Sequence, residues 1–354
     1  MNLYETLTML EGIKAAKKPT SFLKDNYFPT SQGDMFTTEK VTVDFENDSN
    51  NKLAPAVAKG SVPVQRDSFQ SHEYVAPLVA PSMALTIEQL NRRVFNESIV
   101  SGMTPEQREA QYLADDLKKL DAMITRTEEY MAAQTLLGNA YTIKQYINGY
   151  GTALAQDFSI DFYGEGNNSN QAVYTSAGWT TSSTNIISDV KAMCDMLAKK
   201  GLGATDLIMG SSAAAVFMSN SEIRAELDNR RIRIADEVRP EMTAPGVAFI
   251  GQFDFGGYVL SVYSYAATYT DINGTETAFF DADKIVVTSK AMGRTAYGAI
   301  SQYEEGADNA TTYVGARVPH VIINRHDGIR ELILQSRPLV MPKHLNAAIV
   351  SDVV

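Results

Sequence analysis

The chain has 354 residues, enough for one large or two ordinary domains, and 44% hydrophobic residues give it material for real cores. A net charge of −11 with scattered basic residues excludes a protein built to hold nucleic acid by neutralising phosphates. A single cysteine, Cys194, excludes an intrachain disulfide framework, and no apolar run approaches the ~20 residues that cross a bilayer.

The first 18 residues, MNLYETLTMLEGIKAAKK, are too polar and acidic for a signal peptide, so a soluble protein of a reducing compartment is expected. Residues 1–34 read as a mobile arm, with a short amphipathic helix around Leu3 to Ala16 followed by Lys-Pro and Phe-Pro punctuation. In MFTTEKVTVDF, Lys40, Thr42 and Asp44 alternate with Val41, Val43 and Phe45, the period of a half-buried strand. The strand stands outside any obvious compact unit, so its apolar face is expected to seal against another subunit. Pro55, Pro63, Pro77 and Pro81 keep the following stretch extended. A run of strand and loop this long is more often functional or partner-bound than idle.

Thr104-Pro105-Glu106-Gln107 is a helix start, with Thr at the N-cap, Pro at the first helical position and Gln completing a capping box. Ala110, Leu113, Leu117, Leu120, Ile124 and Met131 then recur at helical steps, and Gly138 is expected to supply the stop. A helix over 105–137 would be roughly 50 Å long at ~1.5 Å per residue. It has no second helix of its length to pair with, which suits a backbone helix lying across a sheet. A β-rich stretch from Tyr141 to Tyr163 and a polar loop from Gly164 to Thr184 follow. Ile187, Val190, Cys194 and Leu197 mark one face of a helix ending at Gly201, DLIMG reads as a strand, and short helices are expected at 212–218 and 222–229. VAFIG, GYVLSVYSYAATY, an Asn273-Gly274 turn suited to a type I′ hairpin, DKIVVTS, RTAYGAI, ARVPHVIINR and RELILQSRPLVMP complete an α+β chain of two subdomains without internal repeats.

Chemistry-bearing motifs are scarce. His320 and His326 are the only near pair of histidines; their spacing is not a usual zinc spacing, and no Cys or H-E-x-x-H completes a site. Sheet and loop histidines are the plainer reading, with an α+β enzyme using His320, His326 and Asp327 as the remote alternative. Cys194 falls on an apolar helix face, as a core thiol does. GLGATD at 201–206 follows a helix, whereas a dinucleotide loop follows a strand. Asp281 and Asp283 sit at a strand entrance, where acidic turn residues are common. Phosphate-loop and nucleophile-elbow motifs are missing from the sequence, and no cofactor or metal is expected.

The unpartnered segments point to assembly with neighbouring copies. Six short motifs, in order, carry a resemblance: Phe36-Thr37-Thr38-Glu39-Lys40-Val41; Tyr74-Val75-Ala76-Pro77 with Pro81-Ser82-Met83-Ala84-Leu85; Glu128, Glu129 and Met131 through Leu137-Gly138; Leu227-Asp228-Asn229-Arg230-Arg231; Gly293-Arg294-Thr295-Ala296-Tyr297-Gly298; and Ser336-Arg337-Pro338-Leu339-Val340-Met341. The chain resembles the major capsid proteins of tailed phages of the lambda coat-protein (capsid protein E) type.

That resemblance implies an HK97-like capsid fold: an N-terminal arm at 1–34, an extended E-loop at 35–82, a P domain at 83–185 and 284–335 with the spine helix 105–137, and an A domain at 186–283 and 336–354. It implies a structural, non-enzymatic head protein assembling as hexamers and pentamers into an icosahedral shell around DNA held without sequence-specific contacts. It further implies a scaffold, a maturation protease, a portal and a decoration protein as companions. The subunit would be made into capsids in the host cytoplasm and end in the virion, with no membrane involved. An encapsulin-type nanocompartment with the same fold is the alternative. Expected assembly contacts are Phe36, Val41, Val43 and Phe45 on the E-loop. Arg230, Arg231 and Arg233 would face carboxylates such as Glu222, Glu226 or Asp236 of a neighbour, the alternative being a solvated helix end.

Overall fold

The computed structural model describes residues 9, 21–46, 69–92, 104–146, 155–163, 173–176, 178–180, 185–224, 241–271, 274–304, 308–326 and 328–354. The architecture is α+β, organised around one long helix and one six-stranded sheet.

The long helix spans Pro105–Gly138, 34 residues. Its start is the expected capping box: the Gln107 N–H donates to Thr104 Oγ1 at 3.3 Å, and the Thr104 N–H donates to Gln107 Oε1 at 3.0 Å. The stop differs from expectation. Gly138 remains helical, and Asn139 takes the left-handed conformation (φ 49°), its N–H donating to the Thr135 carbonyl. Asn adopts this region more readily than most residues, and its Nδ2 gains a hydrogen bond to the Tyr163 hydroxyl at 3.1 Å.

The two halves of the helix bury against different partners. Leu113, Leu120 and Ile124 pack with Leu332, Leu334, Met83 and Val321 of a three-stranded antiparallel sheet, ordered β16 (Val318–Asn324), β17 (Ile329–Gln335), β3 (Ser82–Thr86). Met131, Ala132, Ala133 and Leu136 enter the main core, which also holds Leu339, Val340 and Met341 of β18 (Pro338–Pro342). Complete burial of each large aliphatic side chain here stabilises by about 1.5–3 kcal/mol.

The six-stranded sheet has the order β19 (Ile349–Asp352), β12 (Lys284–Thr288), β6 (Asp206–Met209), β9 (Val259–Tyr265), β8 (Val247–Asp254), β7 (Glu241–Ala244). Only the β6–β9 pairing is parallel. Ile285 and Val287 share a cluster with Val190, Cys194 and Leu197 of the helix Ile186–Lys199, whereas Val286 faces the main core. Burial on both faces explains why β12 reads as an unbroken apolar run instead of alternating.

Several expectations need correction. Residues 21–34 are no mobile arm: they contain a helix, Phe22–Tyr27, and a single 3-10 turn, and Phe22, Leu23, Tyr27 and Phe28 are core residues. The helix expected at Leu3 to Ala16 lies outside the described residues apart from Met9. Strand pairing also moves the subdomain boundaries. β12 belongs to the six-stranded sheet, and β18 pairs with β13 (Gly293–Tyr297) beside the long helix. β10 (Thr268–Thr270) and β11 (Glu276–Ala278) form an antiparallel hairpin in which the Asp271 N–H donates to the Thr275 carbonyl, and Asn273 of the expected turn lies outside the described residues.

Candidate functional site

The described motifs converge on one place, the root of the hairpin formed by β1 (Lys40–Glu46) and β2 (Phe69–Val75). The Phe36 N–H donates to the Tyr297 carbonyl at 2.9 Å, and the Ala299 N–H donates to the Thr38 carbonyl at 3.1 Å. Arg337 Nη2 donates to Glu39 at 2.9 Å, while the Gly298 N–H donates to the Arg337 carbonyl. Val79 and Ser336 exchange backbone hydrogen bonds at 2.8 and 2.9 Å, tying the exit of the hairpin to the strand before β18. The hairpin stem therefore leaves from a fixed base made by β13 and β18.

Beneath that base lies a buried ionic knot on the long helix. The Glu128 carboxylate is fully buried. Arg317 grips it with two prongs, Nη1 to Oε1 at 2.6 Å and Nη2 to Oε2 at 3.1 Å. Lys24 reaches Oε2 at 2.9 Å, and the Tyr297 hydroxyl donates to Oε1 at 3.0 Å. Arg317 is satisfied further by Asp121 at 2.6 Å and the Thr125 hydroxyl at 3.2 Å. Burial alone would raise the Glu128 pKa, but Arg317 and then Lys24 outweigh it and hold the group at about 2. Burial likewise opposes the Lys24 ammonium and the Arg317 guanidinium, and Glu128 reverses this, leaving both pKa values raised.

The neighbouring carboxylate has a different task. Glu129 accepts from the Phe22, Leu23 and Lys24 N–H groups at 3.1, 2.8 and 3.0 Å and from the Tyr265 hydroxyl at 2.9 Å. It caps the arm helix from a distant part of the chain, so six residues too short to hold a helix alone are fixed by tertiary contact. Burial raises its pKa against those hydrogen bonds. At the other end of the arm helix, the Tyr27 hydroxyl donates to Asp206 at 3.0 Å, the first residue of β6. The arm helix thus joins the long helix to the six-stranded sheet. Glu129→Gln turns one acceptor oxygen into a donor facing backbone N–H groups. It should cost about 1–3 kcal/mol in denaturant unfolding and speed hydrogen exchange at Phe22 to Lys24.

Residues 5–353 match the family described as Phage major capsid protein E. The chain belongs to that family. It is a structural capsid subunit and not an enzyme, with the HK97-like fold. The putative capsid protein of a prophage of Escherichia coli CFT073 is similar at 18% identity and TM-score 0.66, with 100% of each chain covered. A phage-related protein from Bordetella bronchiseptica RB50 is similar at 9% identity and TM-score 0.53, over 99% of this chain and 97% of that one. No curated protein compared with the chain matches it.

In this capsid subunit the expected contact residues have different fates. Val41 and Val43 are 0% and 1% exposed within the chain, in the cluster that includes Ala76, Ile160 and Phe162. The expectation that they seal against another subunit is corrected: the period-2 pattern identifies the apolar face, and the subunit's own core covers it. Tyr74, opposite Val41, meets the Phe162 ring edge-on at 5.2 Å. Phe36 packs half-buried on the same cluster. Phe45 pairs with Gln70 in the β1–β2 register, but its side chain lies outside the described residues, as do Arg230, Arg231, Arg233, Glu226 and Asp236.

His320 is half-buried in β16, its pKa lowered by burial against a smaller opposing effect of Glu304, while His326 is exposed beyond the strand end. Among the described residues no group of three His, Cys, Asp or Glu is placed to hold a metal. Burial pushes the Cys194 thiol up to about 12, which makes it a core residue and a poor nucleophile. Asp281 pairs with Lys284 at 2.8 Å at the entrance to β12, a turn role. Sequence reasoning missed Lys24, Arg317 and Tyr265. Only the adjacent Glu128-Glu129 pair, both on the buried side of an amphipathic helix, signalled that cations or N–H donors must meet them there.

Proposed function

We propose that this subunit forms hexamers and pentamers that tile an icosahedral shell around double-stranded DNA, with the β1–β2 hairpin reaching over a neighbouring copy. The long helix with the sheets β16–β17–β3 and β13–β18 makes the P domain, and the six-stranded sheet makes the A domain. One observation carries the reading: the hairpin root is held by backbone bonds to Tyr297 and Ala299 at and just beyond the end of β13 and to Ser336 just ahead of β18, while the outer face of the stem, Thr42, Glu73 and Val75, is exposed. A held root with a free outer face suits a lever that transmits force between copies. Phe36, Phe45 and the cluster Arg230, Arg231 and Arg233 are further proposed contacts. Each contact needs only modest strength, because a closed shell is stable through multiplicity and must correct errors while it grows. Assembly takes place in the host cytoplasm with a scaffold, protease, portal and decoration protein.

Since Val43 is buried, Val43→Asp would damage the subunit itself and is a poor test of the hairpin. Val75→Lys is a better one, because Val75 is 44% exposed on the outer face. The variant should keep the unfolding midpoint within about 0.5 kcal/mol of the unchanged chain while reducing particle yield in electron micrographs. Normal particle yield would remove the hairpin from the assembly contacts. The content of purified particles decides the encapsulin alternative, by duplex DNA or enzyme cargo.

A further inference from the structure

The polar loop that followed no sequence pattern contains a built feature. Residues 173–176 and 178–179 lie along the outer edge of β19, the edge strand of the six-stranded sheet. Val173 bridges Val350 in parallel, the Tyr174 N–H donates to the Val350 carbonyl at 2.8 Å, and the Trp179 N–H donates to the Val353 carbonyl at 2.6 Å. One carboxylate fastens the segment. Asp189, in the first turn of the helix Ile186–Lys199, accepts from the Tyr174 hydroxyl at 3.0 Å, the Ser176 hydroxyl at 2.7 Å and the Trp179 indole Nε1 at 3.2 Å. Trp179 is 4% exposed and packs beside Phe217, with ring centroids 6.2 Å apart.

The covered strand ends the chain as Ile349-Val350-Ser351-Asp352-Val353-Val354, apolar, free of proline and carrying one charged side chain. A strand of this composition with an open edge is a template for pairing with another chain. We propose that the segment carrying Val173, Tyr174, Ser176 and Trp179 is a guard strap, latched by Asp189, that keeps the edge of β19 from pairing antiparallel with the same edge of a second copy. This concerns an edge shut within one subunit and goes beyond the shell contacts proposed above. Edge-to-edge pairing of identical strands is isologous and closes as a two-fold dimer, outside any hexamer or pentamer geometry. Such a dimer would remove subunits from productive assembly.

Trp179 is the single tryptophan, so emission excited selectively at tryptophan reports the strap alone. Asp189→Ala should shift that emission to the red and produce, in sedimentation velocity, a dimer component absent from the unchanged chain. Val173→Cys with Val350→Cys provides the lock, because bridge partners sit at the ~5 Å spacing of paired strands, within disulfide reach. In the Asp189→Ala background the oxidised lock should abolish the dimer, and reduction should restore it. If Asp189→Ala fails to fold, Tyr174→Phe with Ser176→Ala removes two of the three latch donors and should give the same pair of signals at smaller amplitude. An unshifted emission, a shifted emission without the dimer, or a dimer that persists under the oxidised lock would each overturn the proposal.

Discussion

Glu128→Ala should destabilise the subunit by about 3–5 kcal/mol, the cost of leaving buried cations without their counter-charge. The loss comes less from the ion pair itself than from what remains. Arg317 keeps Asp121, Thr125, the Ala316 carbonyl and the Ser336 hydroxyl but loses both charge-assisted bonds to Glu128, and Lys24 loses its carboxylate partner at 2.9 Å. Glu128→Gln retains the shape and one acceptor, so it should fall between the unchanged chain and Glu128→Ala. The acid limb of stability gives an independent reading. A carboxylate whose folded pKa is depressed from 4.5 to about 2 contributes stability that is complete above 4.5 and is lost as pH falls towards 2. At about 1.4 kcal/mol per pKa unit, this window accounts for roughly 3 kcal/mol. Urea midpoints measured from pH 6 down to pH 2.5 should therefore fall more steeply for the unchanged chain than for Glu128→Gln. Parallel slopes would mean that Glu128 does not hold its charge in the fold.

The knot also shows what the sequence could and could not reveal. The long helix was legible because its signals are local: a Thr-Pro-Glu-Gln start and apolar residues at steps of three and four. The β1 pattern is legible in the same way, but periodicity names a face and not its partner, and the partner of Val41 and Val43 is the core of their own subunit. The arm helix was illegible for the opposite reason. SFLKDNYF has little helical persuasion of its own, and the groups that fix it, Glu129 and Asp206, lie 105 or more residues away. Subdomain boundaries failed at β12 and β18, since strand partnership depends on distant chain. The site was legible only as a set of motifs in order. Their common cause, the root of one hairpin above one ionic knot, is a property of the folded chain.

Gly293→Ala should be nearly as damaging, through sterics alone. Gly293 opens β13 opposite Pro342 of β18, where a Cβ would stand 2.2 and 2.4 Å from two carbons of the Phe28 ring and 2.5 Å from the Met341 carbonyl oxygen. The ring has little room to give way. Phe28 is fully buried, its carbonyl accepts from the Thr295 hydroxyl at 2.8 Å, and the chain beside it is held by the Thr295 N–H on Pro29. Relief must come from parting β13 from β18 or from displacing the arm, so the cost should reach or pass about 3 kcal/mol, the upper end for overpacking. Either movement disturbs the strand on which the hairpin root rests, because Phe36 is bonded to Tyr297 at the far end of β13. Gly293→Ala should therefore lose particle yield even at temperatures where the subunit stays folded. A double-mutant cycle separates the two routes. Phe28→Ala alone should cost about 3–5 kcal/mol. Combined with Gly293→Ala, it frees the space the new methyl needs, so the joint cost should fall at least ~1 kcal/mol below the sum of the two. Strict additivity would show that the Met341 carbonyl, and not the arm, is what excludes a side chain at Gly293.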